Sequence, residues 1–214
     1  MKDRLGLIFG KQKELMEKYH DIEVANGLVQ TEDVPVEINS RRGQARLRDF
    51  AWRFVEELGE AMDAYFILQG ELHPDVEEEF VDALHFLTEF TILAGVESHE
   101  VIRISPYDLD NFTTLADEAL KLFLKFETKN PRGCISDLFT HTVTKIAMTI
   151  NTLKNKAWKQ SERDTDLELF HIRLRETWVL YFALMLSVGM YLEDVPELYL
   201  DKNAKNKERQ KAGY

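Results

Sequence analysis

Two pairs of carboxylates, Glu57 with Glu60 and Glu79 with Asp82, each set three residues apart, are the side chains here whose types and spacing suit chemistry. At about 100° per residue, Glu57 falls on the same helical stripe as Phe50, Phe54, Ala61, Ala64 and Leu68, with Glu60 beside it. The same arithmetic sets Glu79 among Val76, Ala83, Phe86 and Phe90, with Asp82 turned toward the polar side. A carboxylate on a core-facing stripe must take a proton, pair with a cation or bind metal, because leaving it unpaired costs on the order of several kcal/mol. Around Glu79 the stretch 71–82 adds Glu71, Asp75, Glu77 and Glu78 but no Lys or Arg, so no local salt bridge accounts for it. Four hard oxygen ligands on two antiparallel helices would suit Mg²⁺. Glu56, Asp63, Glu77 and Glu78 read as solvated helix face.

The elements that must position these groups are helices. Apolar residues recur at helical spacing through Leu7, Phe9, Leu15 and Tyr19, through Phe50, Phe54, Leu58, Met62 and Tyr65, and through Phe80, Leu84, Leu87 and Thr91. Further helices are expected around 108–127, 134–158, 166–189 and 194–210, separated by breaker clusters such as Asn130-Pro131-Arg132-Gly133. Strand-like alternation is nearly absent, so the predicted class is all-α, a multi-helix bundle. Gly70 and Pro74 bracket a short turn, which predicts an antiparallel hairpin of a helix ending near Gln69 and one starting near Asp75. The stretch 21–45, with Asn26-Gly27, Pro35 and Asn39-Ser40, reads as a surface connection within one domain spanning 1–214.

The formal net charge of −11 argues against a general nucleic-acid binder, which needs a basic face. The single Cys134 has no partner for an internal disulfide, which suits a reducing compartment. The longest apolar stretch, Val179 to Leu192, is broken by Ser187 and Gly189 and falls short of the roughly 20 residues a bilayer span needs. The N-terminus carries no small-residue cleavage site after its brief apolar run. These features together predict a cytoplasmic protein without a membrane partner.

The last fourteen residues, DKNAKNKERQKAGY, reverse the charge of the chain: Lys202, Lys205, Lys207, Arg209 and Lys211 face only Asp201 and Glu208. Asn203, Asn206 and Gln210 interleave with the cations and Tyr214 closes the segment. Such a mixture suits a grip on a phosphate chain by charge-assisted hydrogen bonds, although basic ends of this kind are commonly just solvated.

Two separated motifs resemble the dimeric, all-α dUTPase family, within the wider all-α nucleoside triphosphate pyrophosphatases that include MazG-like proteins and phage dCTPase/dUTPase enzymes. EELGE at 56–60 with EFVDALHF at 79–86 resembles that family's ExxE and ExxD metal motifs, and YLDKNAKNKERQKAGY at 199–214 resembles its terminal YxxKNxxNxxRQxxGY. The resemblance implies Mg²⁺-dependent hydrolysis of dUTP to dUMP and pyrophosphate, with attack at the β-phosphorus, more than one ion per site and Mn²⁺ as a substitute. It implies that Glu57, Glu60, Glu79 and Asp82 bind the metal and that Glu57 also activates water. Lys202, Asn206, Arg209 and Tyr214 would hold phosphates as the tail closes, while Gln12, His85 and Asn203 would meet the nucleoside. Some members place an asparagine a turn after the glutamine; Leu15 and Met16 stand there instead, which leaves uracil and cytosine both open.

Arg41, Arg42, Arg46, Arg48 and Arg53 read as a helix start pairing with nearby acids rather than a second phosphate site. Trp52, Trp158 and Trp178 read as core or interface, His73, His99, His141 and His171 lack ligand spacing, and the resemblance implies a homodimer that buries the helix from Trp178 to Met190. Besides dUTP hydrolysis, two alternatives stand: a dCTP or dual dCTP/dUTP pyrophosphatase, and a non-catalytic helical protein that keeps the acidic hairpin as a metal site.

Overall fold

The structure is a computed structural model, and it describes residues 3–27, 34–102 and 110–212. Every regular element among them is helical: α1 Arg4–Ala25, α2 Arg41–Ile67, α3 Pro74–Leu93, α4 Ser98–Val101, α5 Asn111–Lys129, α6 Cys134–Ile150, α7 Leu167–Ser187 and α8 Val195–Lys211. The all-α class expected from periodicity is the class observed.

The helix starts follow local chemistry. Asp3, Ser40, Asp110 and Asp166 each accept a hydrogen bond from a backbone N–H of the first turn, which satisfies donors that have no partner inside the helix. Pro74 opens α3, where its missing N–H costs nothing. Between α2 and α3 the chain reverses through Gln69 and Gly70, at φ 57° and 83°, and the Gly70 N–H closes onto the Tyr65 carbonyl at 2.9 Å. The predicted hairpin is thus present, and α2 packs along α3 more extensively than any other pair. Phe54, Leu58, Phe80 and Leu84 are fully buried in this seam, each contributing about 2 kcal/mol by leaving water.

A second layer forms where α7 lies against α5 and α6. The apolar stretch that suggested a subunit interface is spent inside this chain: Trp178, Tyr181, Phe182, Leu184 and Met185 are all at 0 % exposure. Trp178 donates to Thr91 Oγ1 at 3.1 Å, whereas Trp52 and Trp158 are exposed. No helix among the described residues is long and apolar enough to cross a membrane.

Three boundaries differ from those read off the sequence, and the first is that α2 already starts at Arg41, inside the stretch 21–45 read as a surface connection, with Gly43 and Gln44 buried. Helix α1 continues to Ala25, with Asp21, Ile22 and Val24 all exposed, and stops at Asn26 and Gly27 (φ 71°). Solvated helix of this kind shows no apolar period; one support is the ion pair of Glu23 with Arg46 at 2.9 Å. Helix α6 ends at Ile150 rather than near 158, and the chain from there to α7 is tied to the start of α2. Asn155 donates to the Asn39 and Arg163 carbonyls, its N–H is taken by Gln44, and Arg48 donates to the Leu153 carbonyl at 2.6 Å. Arg41 pairs with Glu162, Arg46 with Glu23 and Arg53 with Asp49, so these members of the arginine run serve the scaffold.

Candidate active site

The α2–α3 hairpin brings Glu57, Glu79 and Asp82 together: each offers a carboxylate oxygen, and those atoms lie within 4.8 Å of one another. All three are half-buried, held by the core residues that alternate with them on the same helices. Burial, with the charges of Asp82, Glu60 and Glu79 close by, pushes the Glu57 carboxyl up to about 7. Burial likewise raises Glu79, reinforced by Asp82 and Glu60, and raises Asp82 in spite of a nearby cation. Three oxygen ligands that repel one another and are costly to ionise form a fitting donor set for a divalent cation.

Glu60, expected as the fourth ligand, is exposed and lies outside this trio, although its charge acts on both Glu57 and Glu79. It stands at the edge of the α2 stripe, on the side that faces water.

The cation beside Asp82 comes from the far end of the chain. Lys202 on α8 is buried and its Nζ lies 2.5 Å from Asp82 and 2.6 Å from Glu78. Burial works against its charge, but the two carboxylates outweigh it and raise its pKa. Glu78, read from sequence as solvated face, is therefore part of the site's charge balance: Lys202 above all, with Lys205 at 3.2 Å, holds its carboxyl low. The terminal segment was expected as a tail that closes over substrate. Through Lys211 it is the helix expected around 194–210, and it is already packed against α1 and α3. Asn203 is buried and donates to the Lys11 carbonyl at 3.2 Å, and Lys207 pairs with Glu14 at 2.7 Å. Arg209 is exposed on the same helix, with its charge acting on Asp82. Tyr214 lies outside the described residues.

Next to the carboxylates is a pocket of about 330 Å³ whose lining includes Asp82, His85, Phe86, Glu89, Gln12 and Asn206. Here Gln12, His85 and Asn206 from the sequence reading meet around one space. Gln12 is buried; its Nε2 donates to Glu89 Oε2 at 2.8 Å, and its Oε1 accepts from Tyr199 Oη at 2.5 Å and sits 2.8 Å from His85 Nδ1. The Tyr199 ring stacks on His85 with centroids 4.0 Å apart. Burial lowers His85 to about 3 and lifts Glu89 to about 7. Glu89 escaped the sequence reading, and Tyr199 stood in the terminal motif without a role. Asp82, His85 and Glu89 do fall on one α3 face at i, i+3 and i+7, a signal that could have drawn in the third.

The raised Glu57 pKa has a testable sign. A carboxyl whose folded pKa of about 7 exceeds its ordinary 4.5 gives stability that is present below 4.5 and lost as pH rises through 7. Metal-free protein is therefore expected to melt lower as pH climbs through this window. Bound divalent metal needs the ionised form, so the gap between melting temperatures with Mg²⁺ and with EDTA should widen as pH rises past about 7. A gap that stays flat from about pH 5 to about pH 8 would remove Glu57 from the metal site.

Comparison with curated proteins and with solved structures gives no match. The family model for dUTPase matches residues 51–214, a span that takes in the acidic hairpin, the histidine of the pocket and the whole of α8. On that match and this all-helical architecture, the chain belongs to the all-α dUTPase family and is a dUTP diphosphatase.

Proposed function

We propose that the enzyme hydrolyses dUTP to dUMP and pyrophosphate with Mg²⁺, more than one ion per site, held by Glu57, Glu79 and Asp82, with Glu60 completing the set when the ions are bound. The observation that carries this is the convergence of three carboxylates within 4.8 Å beside a pocket lined by Gln12 and His85. Mg²⁺, or Mn²⁺ in its place, would supply charge neutralisation on the triphosphate and acidify bound water. Glu57, whose carboxyl takes a proton near neutrality, accepts the proton of the attacking water. That water attacks the β-phosphorus; the bond from this phosphorus to the oxygen bridging to the α-phosphate breaks, and that oxygen leaves with dUMP.

Lys202 is the positive charge already stationed at Asp82, and in this reading it turns to the phosphates together with Asn206, Arg209 and Tyr214. Gln12, His85 and Asn203 receive the nucleoside. The enzyme acts as a cytoplasmic homodimer of single-domain chains that clears dUTP from the nucleotide pool and supplies the precursor of dTTP. It has no nucleic-acid or membrane partner. A dual dCTP/dUTP activity is the second reading, favoured by Leu15, which lines the pocket one turn after Gln12 where a further amide would sharpen base choice.

Pyrophosphate release from dUTP, dCTP, dTTP, dATP, dGTP and UTP, each with Mg²⁺ and with EDTA, tests both. Mg²⁺-dependent release from dUTP alone is the expected outcome, and comparable dCTP turnover would establish the dual enzyme. Silence across the panel would leave the non-catalytic metal-binding protein.

A further inference from the structure

Behind the nucleoside pocket is a hydrogen-bonding circuit that branches at Gln12 and has one fixed member. Tyr199 Oη both donates and accepts, the His85 ring exchanges its proton between two nitrogens, and the Gln12 amide fits either way round. An ionised Glu89 only accepts. It therefore compels Gln12 to turn Nε2 toward it, which leaves Oε1 facing Tyr199 Oη and His85 Nδ1. An amide oxygen in that place requires the His85 proton on Nδ1. His85 Nε2 is then a bare lone pair, and it is buried without a partner among the described residues, in a ring that lines the pocket. Gln12 Nε2 keeps a second N–H beyond the one given to Glu89.

We propose that Glu89 is a positioning residue for base recognition: through the Gln12 amide it holds His85 as the Nδ1–H tautomer, so the pocket offers a pyrimidine one donor, the remaining N–H of Gln12, and one acceptor, Nε2 of His85. Uracil presents an N–H flanked by carbonyls and satisfies both. Cytosine in the same seat turns a ring-nitrogen lone pair on the His85 lone pair. The selectivity half of this assignment rests on the dUTP-hydrolysing reading above; the tautomer half does not.

The electrostatics agree with the geometry. Burial keeps His85 neutral, as an acceptor must be. Burial also places the Glu89 proton near neutrality, so above about 7 the carboxylate dictates the amide, and below it Glu89 gains an O–H that suits either orientation. The charged and titratable groups around Glu89 are Tyr19 and Glu23 on α1, Arg46 and Arg53 on α2, Asp82 and His85 on α3, and Tyr199 on α8.

Two readouts on the full chain test the assignment. Long-range ¹H–¹⁵N NMR of histidine-labelled protein, with the His85 signals identified by their loss in His85→Gln, is expected to show the Nδ1–H tautomer in the native enzyme and a mixture in Glu89→Gln. The ratio of kcat/KM for dUTP over dCTP is expected to fall on the order of tenfold in Glu89→Gln, and to recover in part in Glu89→Asp. The native ratio should also fall between about pH 8 and about pH 6, while that of Glu89→Gln stays low and flat; taking a ratio cancels the titration of Glu57 common to both substrates. An Nε2–H tautomer in the native enzyme overturns the proposal without any variant having to fold. An unchanged selectivity ratio in folded Glu89→Gln overturns it as well. If the native enzyme hydrolyses neither nucleotide, the functional reading fails, and the tautomer measurement still decides the circuit.

Discussion

Glu79→Ala is expected to lower Mg²⁺-dependent turnover by on the order of 10³ or more, about 4 kcal/mol of lost barrier reduction. The reason lies in the crowding of the trio. Glu79 is one of three half-buried carboxylates within 4.8 Å, and a cation that loses one of three protein oxygens keeps neither its charge balance nor its register with the phosphates. The same crowding gives the experiment a second side. Without metal, Glu79 is a liability, raised by burial and by the charges of Asp82 and Glu60, so the variant should melt no lower than the native enzyme in EDTA. It should also lose most of the stabilisation that Mg²⁺ gives. Thermal melts with and without Mg²⁺, read beside pyrophosphate release, separate this outcome from plain unfolding. Native-level turnover in the variant would dissolve the site assignment.

Lys202→Ala should damage both stability and activity. It strips the buried cation from Asp82 and Glu78, and an acid left in a half-buried place without its partner is worse than no pair at all. Both acids retain some exposure, at 21 % and 36 % of their side chains, which reduces the cost from that of a fully buried pair to about 2 kcal/mol. Urea unfolding in EDTA measures it. Mg²⁺ should recover part of this loss, because a divalent ion also relieves Asp82. Turnover is expected to stay down by on the order of 10²-fold even with saturating metal, since among the described residues no other buried cation stands at that spot. Unchanged stability in EDTA would mean that the ion pair is idle. Lys202 and Asn203 are buried, so removing α8 from Lys202 onward takes away packed structure and should cost stability along with activity.

What the sequence made legible was local. The hairpin followed from Gly70, Pro74 and two apolar stripes, and the placement of Glu57, Glu79 and Asp82 followed from counting along those stripes, because i, i+3 spacing is a property of one helix. What it hid was long-range. Glu78 looked solvated because its partner, Lys202, is 124 residues away. Gln12 could be suspected, but its partners Glu89 and Tyr199 stand 77 and 187 residues distant, and nothing in a linear pattern pairs them. The end of α1 was missed for a different reason: Asp21, Ile22, Val24 and Ala25 are exposed and only Glu23 is half-buried, so this turn leaves no apolar period to read.

One turn of α8 carries more than its share of this arrangement. Tyr199 and Lys202 are three residues apart on that helix, the first gripping Gln12 in the nucleoside pocket and the second gripping Asp82 among the carboxylates. The turn is a single pin through two plates. Sliding or rolling it far enough to loosen one grip loosens the other, so the part of the protein that reads the nucleoside and the part that would cut its phosphates share one mechanical setting.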